Sequence, residues 1–391
     1  MASLRFLLGG IPSTEKVESA DDKLRADYKA FKEFEISDEL AHYVELEKEV
    51  TSSDFALRKK KILKARYKAS EAHRKETQYN KLSKAKGEPS EALKKLEAYI
   101  HSEEFLKEKQ FLTMKPKERY ESTEEYRKET EYQTLKKSEK ILWYFKTRKK
   151  YPFREIERWK LTFEDQFSGP ALDKSKWITR YYWGDESMDA SFVLEDDKSF
   201  ISDGANIEFY DGKLRIVTKK ESAEGLVWRG NQGFVKEDFD FTTGFLSTAR
   251  SFKQKYGIFK AKIKMSGNGI AQSFWLLSSS MLPHIDIARF EEGKLYSNYF
   301  FGKAEAPSKS ISKTSGGKYA DNYFIFSLEW SPNKLVWKIN DKVFKTQTAS
   351  VPQEEMYINF SANLKKDASE SGLPSAMEVD WVRVYELKTG E

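Results

Sequence analysis

Two periodicities divide this chain. Across roughly the first 160 residues, apolar positions recur at helical spacing, as in Leu46 and Val50 followed by Phe55, or Tyr79 with Leu82. That spacing gives a helix one face to bury. Ser53 followed by Asp54, and Ser102 followed by Glu103, read as helix N-termini. The hydroxyl caps an orphan amide and the acid meets the helix dipole. Beyond residue 160 the pattern changes to alternation. In GKLRIVTK, Leu214, Ile216 and Thr218 alternate with polar residues. In YGIFKAKIKM, Phe259, Ala261 and Ile263 alternate with Ile258, Lys260, Lys262 and Lys264. A period of two is that of a strand with one buried face. KLVWKINDKVF reads as a hairpin turning at Asn340-Asp341, and MEVDWVRVYEL as a final strand. Many short strands with turn signals between them predict a sandwich of two antiparallel sheets. The seam falls in KTRKKYPFREIERWKLTFED, where Pro152 interrupts the helical pattern.

The helical part repeats itself. Leu46/Leu96, Val50/Ile100, Ser52/Ser102 and Phe55/Phe105 match at a spacing of 50, and RKETQYNKL (74–82) matches RKETEYQTL (127–135) at a spacing of 53. The three-residue shift places an insertion near Pro116, and Tyr28, Phe31 and Phe34 hint at a partial earlier copy. A period near 50 predicts stacked helical units. The division expected is an N-terminal segment (1–20), a helical repeat region (21–158) and a β domain (161–387).

Composition sharpens this picture. Of the 20 glycines, three lie in residues 1–160, and seven of the nine tryptophans lie beyond. Residues 1–160 hold 38 Lys+Arg against 30 Asp+Glu, a balance of +8; residues 161–391 hold 30 against 32, a balance of −2. The basic run RKKKILKARYKASEAHRK (58–75) follows an acidic stretch and accompanies no nucleic-acid motif, so no nucleic-acid partner is expected. With no cysteine, the chain has no disulfide, thiolate metal site or cysteine nucleophile. Four histidines, at 42, 73, 101 and 284, lack metal-ligand spacing. No metal or other cofactor is expected. No stretch approaches the about 20 apolar residues of a spanning helix, so no membrane insertion is expected. The apolar run in MASLRFLLGG is shorter than a signal-peptide core. Unless a leader precedes this start, the expected location is the cytoplasm or a virion.

In order, FEDQFSG with LDKSKW, NIEFYDGKLRIVTK, TTGFLSTARSFKQKYGIFKAKIKM, SFWLLSS, HIDIARFE, FSLEWSPNKLVWKIND and MEVDWVRVY resemble the glycoside hydrolase family 16 enzymes, the laminarinase and lichenase relatives. The resemblance spans about 161–387. It implies a concanavalin A-like antiparallel jelly roll, here after an α-helical repeat region. It also implies a catalytic strand reading Glu–apolar–Asp–apolar–x–Glu, whose first Glu is nucleophile, whose Asp tunes it and whose last Glu is acid/base. A calcium ion on the convex face is common in the family, but nothing in this sequence locates one.

In this chain those positions carry His284, Asp286 and Arg289. Imidazole replaces poorly a carboxylate that must form a glycosyl ester, and arginine stays protonated at any working pH. Glu291 and Glu292 would reach the same bond only in another strand register. The resemblance also places Trp275 beneath the sugar and Asn206 at the cleft edge; Trp228 and Trp183, on loops, are further candidate stacking platforms, and Arg289 is a candidate glycan contact. The expectation is therefore a non-catalytic domain, in which His284, Asp286 and Arg289 are vestigial and laminarin, lichenan, agarose and carrageenan are not hydrolysed. The protein would serve as a structural or interaction subunit of a bacterial complex or phage particle. Protein partners would dock on the helical region, with Trp143, Tyr144 and Phe145 as contacts, because three consecutive aromatics cannot all face one helix core. Two other uses stay open: glycan binding in the old cleft, and active endo-hydrolysis of a β-glucan or galactan.

Overall fold

The computed structural model describes residues 10–84, 88, 90–182, 190–266, 269–365 and 368–388. Its contacts form two compact units, Leu24–Phe153 and, together, Met1–Lys23 with Arg154–Glu391.

Ten helices are described: α1 (Thr14–Glu35), α2 (Asp38–Val50), α3 (Ser53–Lys64), α4 (Glu71–Leu82), α5 (Glu91–Ile100), α6 (Glu103–Thr113), α7 (Pro116–Glu121), α8 (Glu124–Leu135), α9 (Glu139–Lys150) and α10 (Arg154–Arg158). Their starts are written in hydroxyls. Ser37, Ser52, Ser70, Ser90, Ser102, Thr123 and Ser138 each accept a hydrogen bond from the backbone N–H three residues on, each cap contributing about 1 kcal/mol. The cap of α3 is Ser52, one residue before the Ser53 expected; Ser52 is also the residue that matches Ser102 in the repeat.

The helices that carry the two matching sequence stretches do not simply stack one after the other. One copy runs α2, α3, a 3-10 turn at Tyr67–Ala69 and α4; the other runs α5, α6, α7 and α8. Within the unit α2 packs on α8 and α5 on α4, so each copy's first helix lies on the other copy's last. The ion pairs obey the same exchange. Lys109 Nζ meets Glu76 Oε1 at 2.5 Å, while Tyr67 donates to Glu76 at 2.6 Å. Lys59 Nζ meets Glu129 Oε2 at 2.6 Å, while Tyr120 donates to Glu129 at 2.7 Å. The two triads superpose in sequence at the spacings of 50 and 53. Arg119 is buried and donates to the carbonyls of Ile62, Ala65, Phe111, Leu112 and Met114, meeting orphan C-terminal carbonyls of both α3 and α6, whereas its counterpart Arg66 is exposed.

The aromatic run on α9 belongs to this unit's own core. Tyr144 is buried and stacks on Phe31 at 5.0 Å, Trp143 meets Phe31 edge-on at 6.3 Å, and Phe145 tilts against Tyr43 at 5.8 Å. Tyr151 and Phe153 join the same cluster. Three neighbours can all be covered because rings from α1 and α2 flank α9 on different sides. The exposed large apolar side chain of α9 is Leu142.

The rest is the jelly roll. Its strands are β1 (Trp159–Asp165), β2 (Phe192–Leu194), β3 (Ser199–Ile201), β4 (Ile207–Tyr210), β5 (Lys213–Arg229), β6 (Gly233–Thr243), β7 (Phe245–Ser247), β8 (Gly257–Lys264), β9 (Ala271–Ser278), β10 (His284–Glu291), β11 (Lys294–Lys303), β12 (Ala306–Ser315), β13 (Tyr323–Ser331), β14 (Lys334–Ile339), β15 (Lys342–Gln347), β16 (Met356–Asn363) and β17 (Ser375–Leu387). One sheet of the described residues runs β15-β14-β13-β8-β17-β5-β6-β3, with β1, β2 and β4 attached; the other runs β12-β11-β10-β9-β16-β7. Between them lies a core built by the predicted alternation, with Phe259, Ala261 and Ile263 of β8 facing Phe274, Leu276, Ile285 and Ile358. At the predicted hairpin, Asn340 and Asp341 have φ of 46° and 62°, the left-handed pair of a tight two-residue turn.

Residues before α1 and at its start are part of the jelly-roll unit. Asn340 is fully buried; its Nδ2 donates to the Pro12 carbonyl at 2.9 Å and to Thr14 Oγ1 at 3.1 Å, and its Oδ1 accepts from Ile325 N at 2.8 Å. Glu18 takes Lys262 Nζ at 2.9 Å and the Trp381 indole N–H at 3.3 Å, and Lys262 also meets Asp380 at 2.7 Å. Lys262, on what the sequence presents as a solvated strand face, is thus held between two carboxylates.

Candidate functional site

A cleft of about 480 Å³ opens on the six-stranded sheet. Its floor is three strands wide. Antiparallel register sets His284, Leu277 and Tyr357 in one row across β10, β9 and β16, Asp286, Trp275 and Asn359 in the next, and Arg289, Ser273 and Ser361 in a third. Strict alternation would put only one of Asp286 and Arg289 on this face. A bulge resolves the conflict: the β10–β9 register shifts between Asp286 and Ala288, so Ile287 and Ala288 both enter the core. The bulge returns Arg289 to the cleft. The walls are aromatic, with Tyr181, Tyr182, Phe192 and Trp228, the last packed on Phe234 at 4.9 Å.

Asp286 is the best-buried charge of the floor. Its Oδ1 lies 3.0 Å from His284 Nε2, and its Oδ2 accepts from Asn298 Nδ2 at 2.8 Å. Burial pushes the carboxyl up, but His284, Arg289 and the Asn298 amide together hold it below the usual carboxylate range. His284 stacks on the Trp275 indole at 4.6 Å, and that indole donates to Ser361 at 3.2 Å. Arg289 forms a fork to Glu291, with Nε and Nη2 both 2.9 Å from Oε2. At the same end Lys365 pairs with the buried Asp197, which also accepts from Asn363 Nδ2 at 3.2 Å.

The structure brings together His284, Asp286, Arg289, Trp275 and Trp228. Asn206 does not join them. It is buried away from the cleft, donates to the Val217 carbonyl and Thr242 and accepts from Ser202, so its role is to close the turn before β4. Trp183 lies outside the described residues. Tyr181, Ser273, Asn363 and Lys365 line the cleft without having been singled out in the sequence. Tyr181 had a signal in its neighbour Trp183. Asn363, Lys365 and Asp197 had none, because long-range pairing alone makes them neighbours. As chemistry, the floor offers an apolar stacking face, one ionised carboxylate bonded to an imidazole, and two cations.

Comparison with known proteins agrees with this architecture. Residues 194–383 match the family described as Glycosyl hydrolases family 16. Glucan endo-1,3-beta-glucosidase A1 of Niallia circulans is 24% identical over 271 residues, which cover 58% of this chain and 37% of that protein. Endo-1,3-1,4-beta-glycanase EglC of Rhizobium meliloti (strain 1021) is 24% identical over 253 residues, 58% of this chain and 51% of the relative. The chain thus spans about a third to a half of the length of these two relatives. A solved structure from work on endo-acting O-glycanases of the human gut microbiota superposes with a TM-score of 0.50 at 17% identity, covering 59% of this chain and 92% of the other. These findings correct the expectation of a domain without catalysis, since the relatives are named as endo-glucanases and point to an enzyme. They lend no support to a purely structural subunit. His284 and Arg289 stand as the groups this chain places at two of the three strand positions. Over residues 194–383 the β-sandwich of this chain is similar to the glycosyl hydrolases family 16, and it follows a helical N-terminal region.

Proposed function

We propose that the jelly roll is a glycan-active domain that seats a β-linked chain of the glucan class in this cleft. The observation that carries the reading is the floor itself. A flat ring pair, Trp275 with His284, lies between aromatic walls and beside polar side chains, Asn359 and Ser361. Sugars have apolar faces and hydroxyl rims, and concave apolar sites with a few placed polar groups are how such ligands are held.

Endo-hydrolysis of that chain is the activity to which the relatives' names point. A retaining reaction through two carboxyls about 5–5.5 Å apart is not available to His284 and Arg289. The dyad at hand is His284 with Asp286. Histidine is the residue type that most readily accepts and returns a proton near neutral pH, and a bonded carboxylate orients an imidazole and stabilises its charged form. In this reading water adds across the glycosidic C–O bond: His284 takes a proton from the attacking water, whose oxygen bonds the anomeric carbon, the departing sugar oxygen ends up protonated, and Asp286 positions the imidazole.

Two measurements test the proposal on the full chain. Calorimetry with laminarin and mixed-linkage glucan oligosaccharides should show binding; none at millimolar ligand would end the reading. Reducing-end release from the same glucans should disappear in Asp286→Asn. Turnover that survives in both Asp286→Asn and His284→Ala would remove the dyad from the reaction while leaving the binding site in place.

A further inference from the structure

We propose that the end of the cleft bearing Arg289 and Lys365 is a subsite for an anionic group, a carboxylate or a sulfate, carried on the bound sugar. This rests on the reading of the cleft as a glycan site and names the class of chain it prefers.

Three observations converge there. The first is the lie of the charges. Arg289 and Lys365 line the cleft with side chains 26% and 30% exposed, whereas their partners Glu291 and Asp197 do not line it, and the Asp197 side chain is wholly buried. The surface offered to a ligand is therefore cationic, with the counter-charges behind it. The second is spare donor capacity. Glu291 occupies Nε and Nη2 of Arg289, which leaves Nη1 without a protein partner among the described residues. Lys365 carries three donors, and one meets Asp197. The pairing also holds both heads in place, so an arriving anion need not order them. The third is a pair of unmet atoms. Ser273 Oγ and Asn363 Oδ1 are buried, belong to residues that line this end and have no hydrogen-bond partner among the described residues. Leaving a buried polar atom unpaired costs about 1–3 kcal/mol, and such atoms call for a specific explanation. A sugar supplies one: the anionic oxygens accept from Arg289 and Lys365, and neighbouring ring hydroxyls meet Asn363 and Ser273. Small floor residues, Ala271 and Ser273, leave room for the substituent. Charge-assisted bonds of this kind are roughly twice as strong as neutral ones.

The test holds the backbone of the ligand constant and changes only its charge. Calorimetry on the full chain would compare laminarin, carboxymethylated β-1,3-glucan and sulfated β-1,3-glucan at low and moderate salt. The expected result is at least tenfold tighter binding of one anionic glucan than of laminarin, weakening as salt rises. Lys365→Gln should remove about tenfold from the anionic ligand and less than twofold from laminarin, and Arg289→Gln should cost more on the anionic ligand than on laminarin. Because Lys365→Gln leaves the buried Asp197 without its cation, the double variant Asp197→Asn with Lys365→Gln is measured beside it. Equal or weaker binding of both anionic glucans, or equal losses on neutral and anionic ligands, overturns the subsite while the glycan reading survives. No binding of any glucan overturns both.

Discussion

Trp275 and His284 lie face to face, ring centroids 4.6 Å apart and planes 16° from parallel. The two residues come from neighbouring strands, one row apart in register, so their stacking is fixed by the sheet rather than by a loop. The imidazole covers part of one indole face, and the stack forms a single platform in the cleft floor.

That platform predicts a specific loss. Trp275→Phe keeps an apolar ring in the core beside Phe245 but removes the second ring of the indole and its bond to Ser361. Affinity for glucan oligosaccharides should fall about tenfold, equivalent to about 1.4 kcal/mol, with the far-ultraviolet circular dichroism unchanged. Unaltered affinity would place the sugar elsewhere.

Asp286 should also be felt in stability. Its folded carboxyl sits below its unfolded value, so its contribution is present above about pH 4 and disappears as pH falls through the folded value. Asp286→Asn should therefore cost about 2 kcal/mol at pH 7, in the range of hydrogen bonds to a charged group. The gap between variant and parent, followed by urea unfolding, should narrow below pH 4.

Lys345 gives the opposite slope. It is buried behind β11 and β12, donating to the carbonyls of Ser297 at 3.0 Å and Ser310 at 2.7 Å, with its Nζ 4.5 Å from the Trp337 ring centroid. Burial lowers its amine to about 8. Between that value and the unfolded lysine value of about 10.4 the unfolded chain binds more protons, so stability should rise with pH across this window. Thermal unfolding from pH 7 to 9.5 should show the rise in the parent and its absence in Lys345→Met. A flat parent profile would count against the buried amine.

In the helical unit, the exchanged triads predict coupling between the two copies. Lys59→Met removes a charge that belongs to α3 and meets Glu129 in α8. Hydrogen exchange measured on the full chain should then show lost amide protection in α8 as well as in α3. Protection lost from the first copy alone would argue for independent repeats.

The sandwich and the helical character of the N-terminal region were legible in the sequence, because each has its own period. Alternation placed Phe259, Ala261 and Ile263 in the core, and Asn340-Asp341 announced its turn through residue types that accept positive φ. The cleft strand carries His284, Asp286 and Arg289 on one face only because of the bulge at Ile287 and Ala288, which alternation alone does not give. What stayed hidden depends on distance along the chain. Asp197 and Lys365 meet across 168 residues, and no local pattern marks either. Asn206 misled for the converse reason: a buried amide closing a turn looks, in sequence, like a polar residue at a cleft edge. The docking of Pro12, Thr14 and Glu18 on the sandwich was equally invisible, because single hydrogen-bonding residues carry no period.

The reciprocal packing of the two helical copies has a consequence for growth by duplication. In an open array each repeat offers its neighbour a new surface, and a further copy can always be added. Here the first helix of each copy is already covered by the last helix of the other, which is the arrangement of a closed two-fold pair rather than of a filament. A third copy inserted in tandem would find no uncovered end to join. Lengthening this region by a further copy would therefore require opening the pair first.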